Sequence, residues 1–293
     1  MTYSFARITA SMGLPRISAI SFLNTAPLMW DFERTPVGRE YEISYTIPSL
    51  CAEALQAGAA DIGLIPAVTY LSIPDLAILP GVAIAAEDYV RSILLVARKP
   101  LEDVRTVAAD VSSRTSVVLC DLLLRRWFPA QRDGSRQREF TRCEPELEAM
   151  LEKHDAALLI GDSALRVDTT LHAVFDLAHE WRAMTGKPFC FAFWAVRWEA
   201  ARPGMVAHFA ESRDHGLRPE SLDVLAREWA PRAGISEGAV RSYLTKNIHY
   251  DLDAPVLEGL RFFLELAREE GLLPAAPPLR FVAAHPAQAS AKS

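Results

Sequence analysis

The chain has 293 residues, half of them hydrophobic and 23% charged, and 31 Lys and Arg face 37 Asp and Glu for a formal net charge of −6. That length holds one large domain or two medium ones, with a core that needs neither metal nor disulfide for stability. The acidic balance argues against nonspecific binding to nucleic acid or an acidic membrane, which takes a basic field, but leaves room for a local positive pocket around a small anion.

The first strand is predicted over Arg16 to Ile20. The stretch Leu23-Asn24-Thr25-Ala26-Pro27-Leu28 then turns into a helix, with Asn24 or Thr25 as its cap and Pro27 in its first turn. Tyr41 to Ile47 alternates like a strand, and Pro48 and Ser49 open a helix that Gly58 closes. A strand over Asp61 to Ile65, a short helix from Pro66 to Leu71, and strands over Gly81 to Ala86 and Ser92 to Val96 follow. Lys99-Pro100 reads as a crossover into a second lobe. Beyond it come a strand over Val104 to Ala109, the hydroxyl-rich run Ser112 to Ser116, and a helix to about Phe128 with Arg125 and Arg126 at its C-terminal end. Pro129 to Glu139 is polar and reads as a surface loop, Glu144 to Lys153 as a helix and Ala156 to Ile160 as a buried strand ending in Gly161-Asp162. A strand over His172 to Phe175 and a helix from Asp176 to Met184 precede Phe189 to Val196, whose unbroken apolar character is that of a strand buried on both faces. Helices are predicted over 204–214, 219–230, 236–246 and 255–270, and the Pro- and Ala-rich end is expected to be disordered over 283–293.

Strands that alternate with helices give an α/β class with a mainly parallel sheet. With hinges at Lys99-Pro100 and Lys187-Pro188, one lobe comprises residues 14–97 plus 191–282 and a second, inserted lobe comprises 98–190. Ligands of such folds sit between lobes, at strand C-terminal ends and helix N-termini.

Several chemistries are missing from the sequence. It has no P-loop, no G-x-G-x-x-G, no G-x-S-x-G, and no histidine or cysteine pair at metal-ligand spacing, so no metal site is expected. Cys51, Cys120, Cys143 and Cys190 are expected to be free thiols in a reducing cytoplasm. The longest apolar run covers eight residues, whereas a membrane-spanning helix takes about 20. Met1 to Gly13 has one Arg and no apolar stretch, so no secretory signal is expected there. From Met205 to Tyr250, six Lys and Arg oppose six Asp and Glu, which suits a helical hairpin better than a DNA-reading helix.

What remains is a set of hydroxyl and amide groups at helix starts. In Ser112-Ser113-Arg114-Thr115-Ser116, four hydroxyls and one Arg stand where a strand feeds a helix, a natural site for a carboxylate or phosphate. The same run is equally readable as an ordinary helix cap with the remaining hydroxyls solvated. Asn24-Thr25 occupies the equivalent place after the first strand, Ser49 opens another helix, and Ser92 begins a strand beside the first hinge. Trp181, Phe189, Phe191, Phe193 and Trp194 read as core, with one ring available to cover a ligand.

The ordered set of stretches Ser21-Phe22-Leu23-Asn24-Thr25-Ala26-Pro27-Leu28, Asp61-Ile62-Gly63-Leu64-Ile65-Pro66, Arg91-Ser92-Ile93-Leu94-Leu95-Val96, Ser113-Arg114-Thr115-Ser116-Val117, Leu158-Leu159-Ile160-Gly161-Asp162 and Asp176 through Trp194 resembles the chorismate dehydratases of the futalosine route to menaquinone. The resemblance implies a two-lobed fold like that of periplasmic binding proteins of the second type, with mixed, mainly parallel sheets flanked by helices and a ligand cleft between the lobes. It implies a cytoplasmic hydro-lyase without metal or organic cofactor that removes water from chorismate to give 3-[(1-carboxyvinyl)oxy]benzoate, acting as a monomer or homodimer. The family's functional Asn maps to Asn24 and its functional Ser to Ser92, the expected catalytic pair; Thr25, Ser49, Ser113, Arg114, Thr115, Ser116, Gly161 and Asp162 are the expected substrate-binding residues. Two positions depart from the family pattern: Phe22 stands where Tyr is common, and Ala26 where a basic residue is common. Other readings are the related 1,4-dihydroxy-6-naphthoate synthase, a non-catalytic protein that binds small carboxylates, and a ligand-sensing regulator using the C-terminal helices.

Overall fold

A computed structural model describes residues 13–128, 138–202, 204–275 and 277–283. Its strands are β1 (Arg16–Ile20), β2 (Glu42–Thr46), β3 (Ile62–Pro66), β4 (Leu76–Ala86), β5 (Ile93–Ala97), β6 (Thr106–Asp110), β7 (Glu139–Cys143), β8 (Ala156–Ile160), β9 (Ala173–Asp176) and β10 (Phe189–Arg197). They form two five-stranded sheets, ordered β2-β1-β3-β10-β4 and β7-β6-β8-β5-β9. In the first, β1 runs parallel to β2 and β3, and β10 runs antiparallel to β3 and β4. The second repeats the plan, with β6 parallel to β7 and β8, and β5 antiparallel to β8 and β9.

The antiparallel strand of each sheet therefore comes from chain that has just arrived from the other sheet. β5 follows β4 of the first sheet but belongs to the second, so the chain crosses over residues 87–92. This corrects the expectation that residues up to 97 stay in the first lobe and that the crossover lies at Lys99-Pro100. Ile93–Ala97 is apolar throughout and buried throughout, and nothing in such a strand records which sheet receives it. The return crossing runs through α6 (Leu177–Thr185) and ends at Lys187-Pro188, where β10 begins.

Asp176 joins the two crossings. Its carboxylate accepts from Val90 N (3.2 Å) and Arg91 N (2.7 Å) on the outgoing segment, and from Ala178 N (3.1 Å) and His179 N (3.4 Å) as the cap of α6. Arg91 holds a left-handed φ of 64° to present its N–H to this carboxylate. Burial raises the Asp176 carboxyl above the usual carboxylate range, and the four N–H donors oppose that rise.

The remaining helices are α1 (Trp30–Arg34), α2 (Pro48–Gln56), α3 (Thr115–Arg126), α4 (Leu147–Lys153), α5 (Gly161–Leu165), α7 (Met205–Gly216), α8 (Pro219–Ala233), α9 (Glu237–Ser242) and α10 (Ala254–Glu269). A main core runs through both sheets and the C-terminal helices, and a smaller one lies on one face of the second sheet around Leu94, Ala157, Leu159 and Met150. β10 is buried from Phe189 to Val196, as its apolar run predicts. β4 starts at Leu76 instead of Gly81. Pro80-Gly81 reads as a break, but β4 is the last strand of its sheet, where Pro is tolerated. Its outer edge is covered by the chain end, with Ile78 N donating to Arg280 O (2.8 Å) and Val282 N to Ile78 O (3.0 Å). β7 is an edge strand whose exposed Glu139, Thr141 and Arg142 hide it from pattern reading. Most of the loop expected over 129–139 and nearly all of the disordered tail expected over 283–293 lie outside the described residues. Among the described residues, no helix is long and apolar enough to cross a membrane.

Asp176→Ala leaves four main-chain donors without their acceptor at the joint between the sheets. A loss of about 2–4 kcal/mol in denaturant unfolding is expected, from the lost cap plus buried unpaired N–H groups. A loss below about 1 kcal/mol would show that the two crossings are held by other contacts.

Candidate functional site

The C-terminal end of β1 leads through Phe22 into a 3-10 helix, Leu23–Met29, with Pro27 inside it. Neither Asn24 nor Thr25 caps this helix. Its first N–H, on Leu23, donates to Oδ1 of Asp162 (3.0 Å), which arrives from the C-terminal end of β8 in the other sheet. Asp162 is therefore a clasp between lobes, and its buried carboxyl is raised above the ordinary carboxylate range by desolvation. Beside it Gly161 adopts φ +64°, and a Cβ there would stand 2.6 Å from the Phe22 ring. Phe22 and Gly161 thus meet at a distance only glycine allows.

Ser92 immediately precedes β5 and is 1% exposed, and its main-chain O accepts from Gly161 N (2.8 Å). Its Oγ accepts from the hydroxyl of Tyr243 (2.8 Å). The hydroxyl of Tyr250 donates to the main-chain O of Asn24 (3.0 Å). Both phenols are buried, and burial raises both above their ordinary ionisation range. These tyrosines are absent from the sequence-derived site. The periodicity over 236–246 predicts one continuous helix, but α9 stops at Ser242 and a π turn, Tyr243–Asn247, follows. Such turns occur often at functional sites. No motif spacing links residue 243 to residue 92.

The N-terminus of α3 also borders the cleft, with no side chain capping it. Ser112 Oγ donates to Asp110 Oδ1 (2.6 Å), a buried carboxyl that desolvation raises. Thr115 Oγ1 accepts from Val68 N of the first lobe (3.4 Å). The Arg114 guanidinium donates to the carbonyls of Val111 (3.2 Å) and Ser113 (3.1 Å) and pairs with Glu53 of α2 at 3.4 Å. Ser113 is 3% exposed, and its Oγ has no partner among the described residues. An unpaired buried hydroxyl beside an uncapped helix N-terminus is an arrangement that favours an anionic oxygen.

Asn24, Ser92, Ser113, Arg114, Thr115, Ser116 and Gly161 all line one cleft, whose empty space, open mouth included, is about 510 Å³. Its apolar walls include Ile20, Phe22, Ile84, Ile160 and Phe191. Phe191 is the ring of the aromatic cluster that reaches the cleft; Trp181, Phe189, Phe193 and Trp194 are core. Arg114 is the one charged residue among the described lining, and no His, Lys, Asp or Glu is present there. Three expected binding residues are not in the lining. Thr25 borders an adjoining pocket with Ala26, Trp229 and Arg232. Ser49 is buried at the start of α2, where the preceding Pro48 takes the place in the lining. Asp162 is engaged by Leu23 N.

Gly161→Ala is expected to lower the unfolding midpoint, because a left-handed backbone costs a side-chain-bearing residue about 1–2 kcal/mol and the added Cβ meets Phe22. Adding Phe22→Leu recovers only the part due to the clash. Full recovery in the double variant would show that φ at residue 161 is not strained by a side chain.

A family model described as "Menaquinone biosynthesis" matches residues 15–269. Among solved structures, protein AF1704 from Archaeoglobus fulgidus is similar with a TM-score of 0.67 at 16% identity, covering 88% of this chain and 98% of that one. The periplasmic aliphatic sulphonate binding protein SsuA from Escherichia coli gives 0.63 at 19% identity, with coverages of 95% and 94%. The alkanesulfonate-binding SsuA from Xanthomonas axonopodis pv. citri gives 0.63 at 17%, with coverages of 89% and 94%. These likenesses establish the two-lobed fold of periplasmic binding proteins, and the family match extends over most of the chain: this protein belongs to the menaquinone biosynthesis family.

Proposed function

We propose that the chain is a chorismate dehydratase, a cofactor-independent hydro-lyase that converts chorismate to 3-[(1-carboxyvinyl)oxy]benzoate and water. The observation that carries this reading is the cleft itself: apolar walls, hydroxyl and amide groups of Asn24, Ser92 and Ser113 to Ser116, and no general base in the described lining. Chorismate is a cyclic dicarboxylate, and its dehydration needs little external base strength because the product is aromatic.

The reaction breaks the C3–H and C4–O bonds and forms the C3–C4 double bond. The C3 proton is vinylogous to the ring carboxylate, so donors on that carboxylate stabilise the negative charge that develops as the proton leaves. The uncapped start of α3, with Ser113 Oγ and the charge of Arg114, is suited to hold it. Asn24 and Ser92 then face the C4 hydroxyl and the enolpyruvyl group, and donation from them stabilises the departing hydroxide. The enolpyruvyl carboxylate of the substrate takes the C3 proton. That proton and the departing hydroxide complete one molecule of water, and the lobes contribute by holding these groups in reacting geometry.

Incubation of purified protein with chorismate, followed by liquid chromatography and mass spectrometry, is expected to give an aromatic product lighter by one water. Asn24→Ala and Ser92→Ala are each expected to lower kcat by about 10²-fold, the usual loss for one preorganised donor. Unchanged chorismate with folded protein would favour a non-catalytic carboxylate-binding protein or the related 1,4-dihydroxy-6-naphthoate synthase. Wild-type turnover in both variants would remove these two residues from the site.

A further inference from the structure

Two tyrosines stand directly behind the pair Asn24 and Ser92, and neither belongs to the described lining of the cleft. Tyr243 is turned inward by the π turn that follows α9, and only 3% of it is exposed. Its hydroxyl donates to Ser92 Oγ at 2.8 Å. A phenol has a single proton, and here it is given to Ser92. Ser92 Oγ, with one lone pair taken by that proton, keeps its own proton for whatever lies in the cleft.

We propose that Tyr243 is a positioning residue that fixes Ser92 as a hydrogen-bond donor toward the bound substrate. Tyr243 and Ser92 are then a short one-way file of donors whose last proton points at the reacting group. This rests on the dehydratase reading, in which Ser92 stabilises the departing hydroxide. It makes the C-terminal helices part of the site. In this arrangement Tyr243 occupies one of the two lone pairs of Ser92 Oγ, and Ser92 acts on the substrate as a donor.

The test is a double-mutant cycle of Tyr243→Phe and Ser92→Ala in the full chain, with chorismate as substrate. Tyr243→Phe is expected to lower kcat by about 10- to 100-fold with KM changed by less than about 3-fold, since a donor acting in the transition state is lost and ground-state binding is kept. In the Ser92→Ala background the same substitution is expected to cost less than about 3-fold, because its effect passes through Ser92. Additive losses, or a Tyr243→Phe variant with wild-type kcat, overturn the inference and leave the dehydratase reading intact. A wild type that folds but does not convert chorismate overturns both together. If Tyr243→Phe does not fold, 3,5-difluorotyrosine at 243 is nearly isosteric and ionises at lower pH. The alkaline limb of the kcat profile is then expected to move to lower pH, as the phenolate cannot donate. An unmoved limb overturns the inference.

Discussion

A single buried carboxylate, that of Asp176, ties together the two places where the chain passes between sheets. Each sheet alone has a complete parallel trio, but its antiparallel strand is lent by chain arriving from the other sheet. The lobes therefore cannot be assembled one after the other, and their relative placement depends on what happens over residues 87–92 and at the start of α6. Four main-chain N–H groups converge on Asp176 there, including that of Arg91 in a left-handed conformation. From this joint Ser92 leads into β5 and α6 starts on the return path, so the geometry of the cleft follows from the geometry of the joint.

The cleft spans the two lobes with few long side chains. Asp162 caps the 3-10 helix of the first lobe, Thr115 accepts from Val68 N, and Phe22 rests on Gly161. These are short groups that touch main chain or a rigid ring, and they cost little side-chain entropy to order. They also enclose a mostly apolar space in which each remaining donor acts at reduced dielectric. Where the reaction needs only positioned charge and its substrate carries the proton acceptor, such a site has no need of a histidine or lysine.

Much of this was legible in the residues. The apolar runs of β8 and β10 mark them as central strands, and the hydroxyl run before α3 marks a helix start with more donors than a cap requires. Other parts were hidden for physical reasons. β7 carries charge on its exposed positions because it is an edge strand, and β5 is apolar on both faces and so gives no hint of its sheet. Ser49 and Thr25 have the right chemistry at the right helix starts, but neither lines the cleft. Tyr243 and Tyr250 reach Ser92 and Asn24 across 151 and 226 residues, and periodicity within a window cannot see such a pairing. The family resemblance supplied Asn24 and Ser92; the fold supplied what stands behind them.

The distance between Asn24 and Tyr250 along the chain also has a meaning in time. A ribosome releases β1 and Asn24 long before Tyr250, and contacts this distant in sequence are slow to close. Until residues 243–250 have emerged, the nascent protein holds its two sheets without the phenols that meet Ser92 and Asn24. Synthesis thus completes the sheets first and the phenols last, so a chain interrupted after β10 carries the walls of the cleft but not the hydroxyls behind them.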